Sequence, residues 1–358
     1  MLRIIAAVGL TGWFAGCANL GYYAQAVDGH MDIRHRTRFI SEIIADPSTR
    51  PALKRALTVA VNAREFAIRE LKLPDNQSFT TYADLGRPYA VWNVSATPEL
   101  SMELEKWCFV AIGCVSYRGF FSEAEAERFA EALRIKGYEV TVGGVRAYST
   151  LGWFSEPVLN TFLGYSEIEL ARLIFHELAH QVLYVRNDST FNESFATAVE
   201  LEGASRWLEG NGTKEQRAAF DAKQKRSAIA NEIMLEYRKQ LEALFASDES
   251  DAEKRKSKTR IFAELRGKLS ALESVGAGSS LQEYDKRLAR YLNNAYLASI
   301  STYTNLVPGF QALLAQQKGD IGRFYQAVKE ISQLPETERT SLLQITDGDS
   351  RNTATATP

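Results

Sequence analysis

Residues 166–185 read SEIELARLIFHELAHQVLYV, and this stretch limits the possible folds of the chain more tightly than any other. Leu170, Leu173, Ile174, Leu178 and Val182 recur at the spacing of one helix face. Ser166 with Glu169 three positions later has the form of a capping box, which places the start of that helix. Two imidazoles and a carboxylate inside so apolar a run are costly to bury unless something compensates them. His176 and His180 stand four positions apart, so on a helix both rings leave the same face one turn from each other. From that face they can hold one metal ion. Glu177, next to the first of them, can reach a water molecule beside it.

The order His-Glu-x-x-His is the arrangement of zinc peptidases. A catalytic zinc ordinarily takes three protein ligands and keeps one position open. The chain has four histidines in 358 residues and none follows His180, which leaves a carboxylate as the third ligand. The next candidate is Glu193, in Phe191-Asn192-Glu193-Ser194-Phe195-Ala196. It lies 13 residues beyond His180, across the short polar connection Arg186-Asn187-Asp188-Ser189. A helix-turn-helix of that length can fold it back against the first helix. Glu200, two turns further on the same face, is its rival, and its preferred role is to orient a ligand imidazole. Glu202 and Glu209 read as exposed helix residues. His30 and His35, close to Arg34, Arg36 and Arg38, read as solvated.

The chain opens MLRIIAAVGLTGWFAGC. Arg3 precedes an apolar run from Ile4 to Phe14 that is about half the ~20 residues needed to span a bilayer. Residues 1–16 therefore read as a secretory signal. The placement of Cys17 after Ala15-Gly16 resembles the lipid-attachment cysteine of bacterial lipoproteins, with Phe14 where an aliphatic residue is usual. The expected location is the bacterial cell envelope, facing the periplasm, with Cys17 as the only membrane anchor. Outside the cytoplasm Cys108 and Cys114 can pair, and a disulfide is favoured over two buried thiols. Lys and Arg number 42 against 44 Asp and Glu, so no long-range field recruits nucleic acid. Apolar residues at 45% and charged residues at 24% fit a globular chain and exclude a mainly disordered or polytopic membrane protein.

Helical spacing covers residues 36–72, with Pro47 and Pro51 interrupting it. Tyr89 to Val94 and Phe109 to Tyr117 have strand character. Ser122 and Glu125 cap a helix over 122–136 that Gly137 stops. Tyr138 to Val142 and Val145 to Tyr148 read as short strands on either side of Gly143-Gly144. Beyond residue 166 the pattern is mostly helical, with a solvated charged run at 248–258. The Thr- and Ser-rich residues 336–358 read as a disordered tail.

The segments FHELAHQ (175–181) and FNESFATAVE (191–200) resemble those of a family of exported bacterial lipoproteins described as putative aminopeptidases. So do YADLGRPYAVWNV (82–94), WCFVAIGCVSYRG (107–119), AYSTLGWFSEPVLNTFL (147–163) and LGYYAQAVDGH (20–30). The resemblance spans roughly residues 18–335. It implies a gluzincin-like metallopeptidase with one zinc per chain, His176, His180 and Glu193 as ligands and Glu177 as general base.

The expected fold is α+β and predominantly helical. Residues 17–335 form one peptidase domain: a small zincin-like sheet from 80–155 packs on the zinc helix, and the helices of 205–334 close the other side of a cleft. The expected activity is hydrolysis of a peptide substrate. An oxyanion stabiliser besides the metal is needed, and with no histidine left a tyrosine is the natural choice, Tyr148, Tyr296 and Tyr303 being candidates. The Val145–Phe154 segment could pair with an extended peptide, and Asn293-Asn294 could border the cleft. Two other readings stay open. One is a non-catalytic envelope lipoprotein in which zinc joins two helices and the helical half binds a partner. The other is a zinc hydrolase acting on a non-peptide amide. Glu177 argues against the first, because a structural zinc site needs a closed shell and no base.

Overall fold

In the computed structural model, which describes residues 21–109, 113–147, 154–274 and 291–344, the chain starts with helix α1 (21–35). It then passes through strand β1 (Arg38–Phe39) into helix α2 (Ile40–Ala45). The helical pattern expected from residue 36 is thus broken at its start, because Arg38 and Phe39 pair with Tyr82 and Thr81. Helix α3 (Pro51–Leu71) begins on Pro51, whose missing N–H costs nothing in a first turn.

Seven further strands and one helix follow: β2 (Thr81–Ala83), β3 (Val91–Pro98), β4 (Trp107–Phe109), β5 (Gly113–Val115), β6 (Arg118–Phe120), α4 (Glu123–Arg134), β7 (Tyr138–Val145) and β8 (Val158–Leu159). They form three small sheets, ordered β1-β2-β8, β6-β3-β7 and β4-β5. In the second sheet β3 is central and antiparallel to both neighbours. Alternation along β3 sends Trp92, Val94 and Ala96 to one face, where they pack with Ala126 and Ala130 of α4. Asn93, Ser95 and Thr97 take the other face. The expected break at Gly143-Gly144 is not present: β7 runs straight through it. Glycine is needed there for another reason, since a Cβ on Gly144 would stand 2.4 Å from the Tyr89 ring. The single strand expected over 109–117 is instead the hairpin β4-β5, in which Cys108 and Cys114 face each other across the strands and are joined by a disulfide. Ser122 Oγ accepts the Glu125 N–H to start α4, and Gly137, at φ +84°, ends its connection to β7.

The rest is helical: α5 (Glu167–Ala179), α6 (Ser189–Asn211), α7 (Lys214–Ala246), α8 (Asp251–Ser274), α9 (Asn294–Thr304), α10 (Val307–Gln316), α11 (Ile321–Ser332) and α12 (Glu336–Leu343). The chain is therefore α+β and predominantly helical. Helix α5 packs chiefly against α3 and α6. The β1-β2-β8 sheet shares its core through Ala83, Val158 and Leu159. Helix α6 is buried on most sides, with Phe191, Phe195, Ala196, Val199 and Leu208 in the main core. It approaches its neighbours closely at Gly203, where a Cβ would lie 2.6 Å from both Leu71 and Phe175. Helices α7 and α8 form a long pair with their own core of Tyr237, Leu241, Ile261, Phe262, Leu265 and Leu269. The charged run opens α8 and is largely exposed, but Lys258 is buried on Glu139 and the Glu99 carbonyl.

The expectation of a tail from residue 336 is corrected over its first eight residues. They form α12, which buries Leu343 and Arg339. Residues 345–358, like the signal segment and Cys17, lie outside the described residues. Among the described residues no helix is long and apolar enough to cross a membrane.

Candidate metal centre

The Ser166 hydroxyl accepts the Glu169 N–H at 3.5 Å and starts α5 where the capping box places it. The helix ends earlier than its apolar pattern implies, at Ala179 rather than near residue 185. Asn192 explains this. Its amide accepts from the Val185 N–H and donates to the Val185 carbonyl, both at 2.7 Å, and so holds that backbone in the turn between the helices. His180 nevertheless keeps helical dihedrals (φ −58°, ψ −22°), so the one-turn relation to His176 survives.

Asp188 caps α6 by accepting the Phe191 N–H at 3.0 Å, and the first turns of α6 carry Glu193 to the two imidazoles. His176 Nε2 lies 3.2 Å from His180 Nε2. Glu193 Oε2 lies 3.4 Å from the first nitrogen and 3.5 Å from the second. The three donors form a nearly equilateral triangle. A tetrahedral zinc with bonds of about 2.0–2.1 Å holds its donors about 3.3 Å apart, so this set fits that ion in size and in chemistry.

Glu200 is not a member of the triangle. Its Oε2 accepts from His176 Nδ1 at 3.0 Å, so the proton that His176 would give up to a metal ion is the one on Nε2, and its loss turns that lone pair to the triangle. Arg172 in turn fixes Glu200, with Nε 2.8 Å from Oε1, and also holds Glu169 at 3.1 Å. Arg172 was not anticipated from the sequence, although it stands one helical turn before His176.

Electrostatics divides the carboxylates. Burial would raise Glu193, but His180 and His176 hold it down at about 2. Burial likewise opposes the charge of Glu200, which His176 and Arg172 stabilise below the usual range. Glu177 goes the other way: burial raises it more than the two histidines lower it. Among the described residues its carboxylate has no hydrogen bond or ion pair. His176 is pulled down by burial but held well above its ordinary value by Glu193 and Glu200.

A cavity of about 740 Å³ lies between the polar face of β3 and β7 and the helices α7 to α9, with Asn93, Thr141, Met234 and Tyr296 among its walls. Tyr117, between β5 and β6, lines it as well. The phenol of Tyr117 is held protonated by burial and then by the nearby charges of Glu193, Tyr184 and Glu177. Tyr184 is raised by burial and by Glu193. Neither tyrosine stands out in the sequence. Of the three candidates named from sequence, Tyr296 lines the cavity, Tyr303 lies on α9, and Tyr148 lies outside the described residues, as does most of Val145–Phe154.

The helix around Asn293-Asn294 does border the cavity, through Leu292, Tyr296 and Ser299, while the two asparagines are used in packing. Asn293 donates to the Val140 carbonyl, and the fully buried Asn294 donates to those of Glu99 and Ser101, tying α9 to the sheet. His35 is exposed and His30 half-buried, its ring 4.6 Å from that of Phe154. Glu202 pairs with Arg206 at 2.7 Å, and Glu209 is exposed.

An α+β chain that brings two histidines of one helix and a glutamate of the next to a common point, with an unpartnered, partly buried carboxylate beside them, defines a candidate metal centre. The family model described as "Putative aminopeptidase" matches residues 21–343, and the chain belongs to that family. No curated protein and no solved structure gives a significant match.

Proposed function

We propose that the chain is a zinc-dependent metallopeptidase acting on peptides, an aminopeptidase in the sense of its family's description. The observation that carries this reading is the donor triangle of His176, His180 and Glu193 with the unpartnered carboxylate of Glu177 next to it. A zinc ion held by those three side chains would polarise the scissile carbonyl and make water acidic enough to ionise near neutral pH. Glu177, raised by burial, takes the proton of the attacking water and returns it to the leaving nitrogen. Glu200 and Arg172 hold the His176 ring in the required tautomer.

Among the described tyrosines, Tyr117 both lines the cavity and stands under the field of Glu177 and Glu193. We assign it as the hydrogen-bond donor to the developing oxyanion. The alternative of a purely structural metal leaves Glu177 without a purpose. We place the protein at the bacterial cell envelope, on the strength of the apolar run and Cys17 at its N-terminus.

The test is metal content together with turnover. The full chain, purified without chelators, should carry about one zinc, lost in His180→Ala, and should cleave peptides with free N-termini. A chain that refuses added zinc would overturn the reading. One that binds zinc but cleaves only non-peptide amides would move the substrate class.

A further inference from the structure

The cavity that Tyr117 lines has an unbalanced charge. Among its described lining residues Arg146 is the one charged side chain, and no Asp or Glu is present. Arg146 is half-buried at the end of β7. Its guanidinium lies 4.9 Å from the ring centre of Tyr165 and 5.8 Å from that of Tyr89, and one N–H donates to the Thr161 carbonyl at 3.3 Å. It has no carboxylate partner among the described residues. Arg172 and Arg339 are held by Glu200 and Asp188, whereas Arg118, beside Tyr117, is half-buried against the rings of Tyr22 and Phe129 and, like Arg146, has no carboxylate partner among the described residues.

A half-buried guanidinium with donors to spare gains most from a planar anion that accepts two hydrogen bonds at once. The polar side chains elsewhere in the described wall, among them Asn93, Ser95 and Thr141, are neutral, so no acidic group of that wall competes for it. The same described wall offers no carboxylate to an ammonium group, which the positive charge of Arg146 in a partly desolvated cavity repels. At about 740 Å³ the space is of the size that encloses a small ligand.

We infer that Arg146 receives a carboxylate of the substrate, and that the substrates are short peptides whose free acid group sits in this cavity. The inference rests on the peptidase reading for its substrate class, though not for the binding itself. It makes Arg146 a specificity-determining residue and puts recognition of the peptide amine elsewhere.

The test compares trialanine with its C-terminal amide, and with an amide of equal length that carries an acidic side chain. Dissociation constants are measured by calorimetry on the full chain, with and without added zinc, for the native protein, Arg146→Gln and Arg146→Lys. The native chain should bind the free acid about tenfold more tightly than the plain amide. Arg146→Gln should abolish that ratio, and Arg146→Lys should keep part of it. If the acidic side chain restores tight binding of the amide, the carboxylate can come from a side chain. If it does not, the C-terminal group is the one bound.

Equal affinity for acid and amide in the native chain would overturn the inference, and that comparison needs no variant to fold. A ratio that persists in Arg146→Gln would overturn it too. The two readings fail separately. Trialanine bound through its acid group but never cut would sink the peptidase reading alone, whereas cleavage with no preference for the acid would sink this inference alone.

Discussion

Asp188 caps α6 with one carboxylate oxygen and holds Arg339 of α12 with the other, at 2.7 Å from Nη2. The pair is buried on both sides, and Glu193 stands five residues after Asp188 on the helix so anchored. Removing one partner leaves an uncompensated charge in the interior, which costs about 3–5 kcal/mol. Arg339→Ala is therefore expected to lower stability by about 3 kcal/mol in denaturant unfolding and to weaken metal binding through the shifted start of α6. An unfolding midpoint equal to that of the native chain would show that α12 is not a clamp.

Glu177→Gln keeps the shape of the side chain and removes its ability to accept a proton. Metal content should be unchanged, while kcat should fall by about 10²–10⁴-fold. The measurement is elemental analysis beside peptide turnover on the same sample. Full activity in this variant would mean that another group is the base.

Glu193 and Glu200 should separate by degree. Glu193→Ala takes away one corner of the donor triangle and should leave the chain unable to retain metal through dialysis. Glu200→Ala leaves the triangle intact and frees the His176 ring, a loss of about 10–100-fold in affinity. A larger loss from Glu200→Ala than from Glu193→Ala would exchange their roles.

His176 makes metal binding depend on pH. Burial works against its charge, but the bonds to Glu193 and Glu200 outweigh burial and raise it well above the ordinary value. In the metal-free chain it therefore keeps its proton to higher pH than an ordinary imidazole does, and a metal ion must displace that proton. Below the His176 pKa the apparent affinity should climb about tenfold per pH unit, and above it the rise should level off. Competition against a chromophoric chelator, run from about pH 6 to about pH 8, measures the slope, and a flat profile would contradict the assignment.

Gly203 should tolerate no side chain. A methyl group there meets Leu71 and Phe175 at 2.6 Å, so Gly203→Ala must push α6 away from α3 and α5. The expected cost is about 1–3 kcal/mol, read as a lower thermal midpoint.

What could be read from the sequence is what depends on neighbours along the chain. The capping residues of α4 and α5, the one-turn spacing of His176 and His180, and the short reach to Glu193 are all local relations. What depended on distant segments stayed hidden. The link from Arg172 through Glu200 to His176 needs two helices in place. Tyr117 reaches the centre from a loop some sixty residues upstream. Helix α5 looks longer in sequence because nothing there reveals that Asn192 will seize Val185. Gly143-Gly144 looks like a break because the Tyr89 ring above Gly144 cannot be seen. Helix α12 looks like a tail because its attachment is one buried arginine and one buried leucine, Arg339 and Leu343, rather than an apolar stripe.

The disulfide hairpin has a bearing on where this chain can change length. Asn187, in the turn between the two ligand-bearing helices, accepts the Cys114 N–H at 2.8 Å, and Gly113 packs so closely there that a Cβ would lie 2.3 Å from the Asn187 side chain. The hairpin is thus a brace for that turn, with no slack between them. A residue inserted between Cys114 and β6 would have to be absorbed at Tyr117 and at the turn together. The α7–α8 connection at Ser247 to Ser250 has no such attachment to the centre and can lengthen freely. Natural variation in length should therefore gather at the far end of the α7–α8 pair and avoid the hairpin.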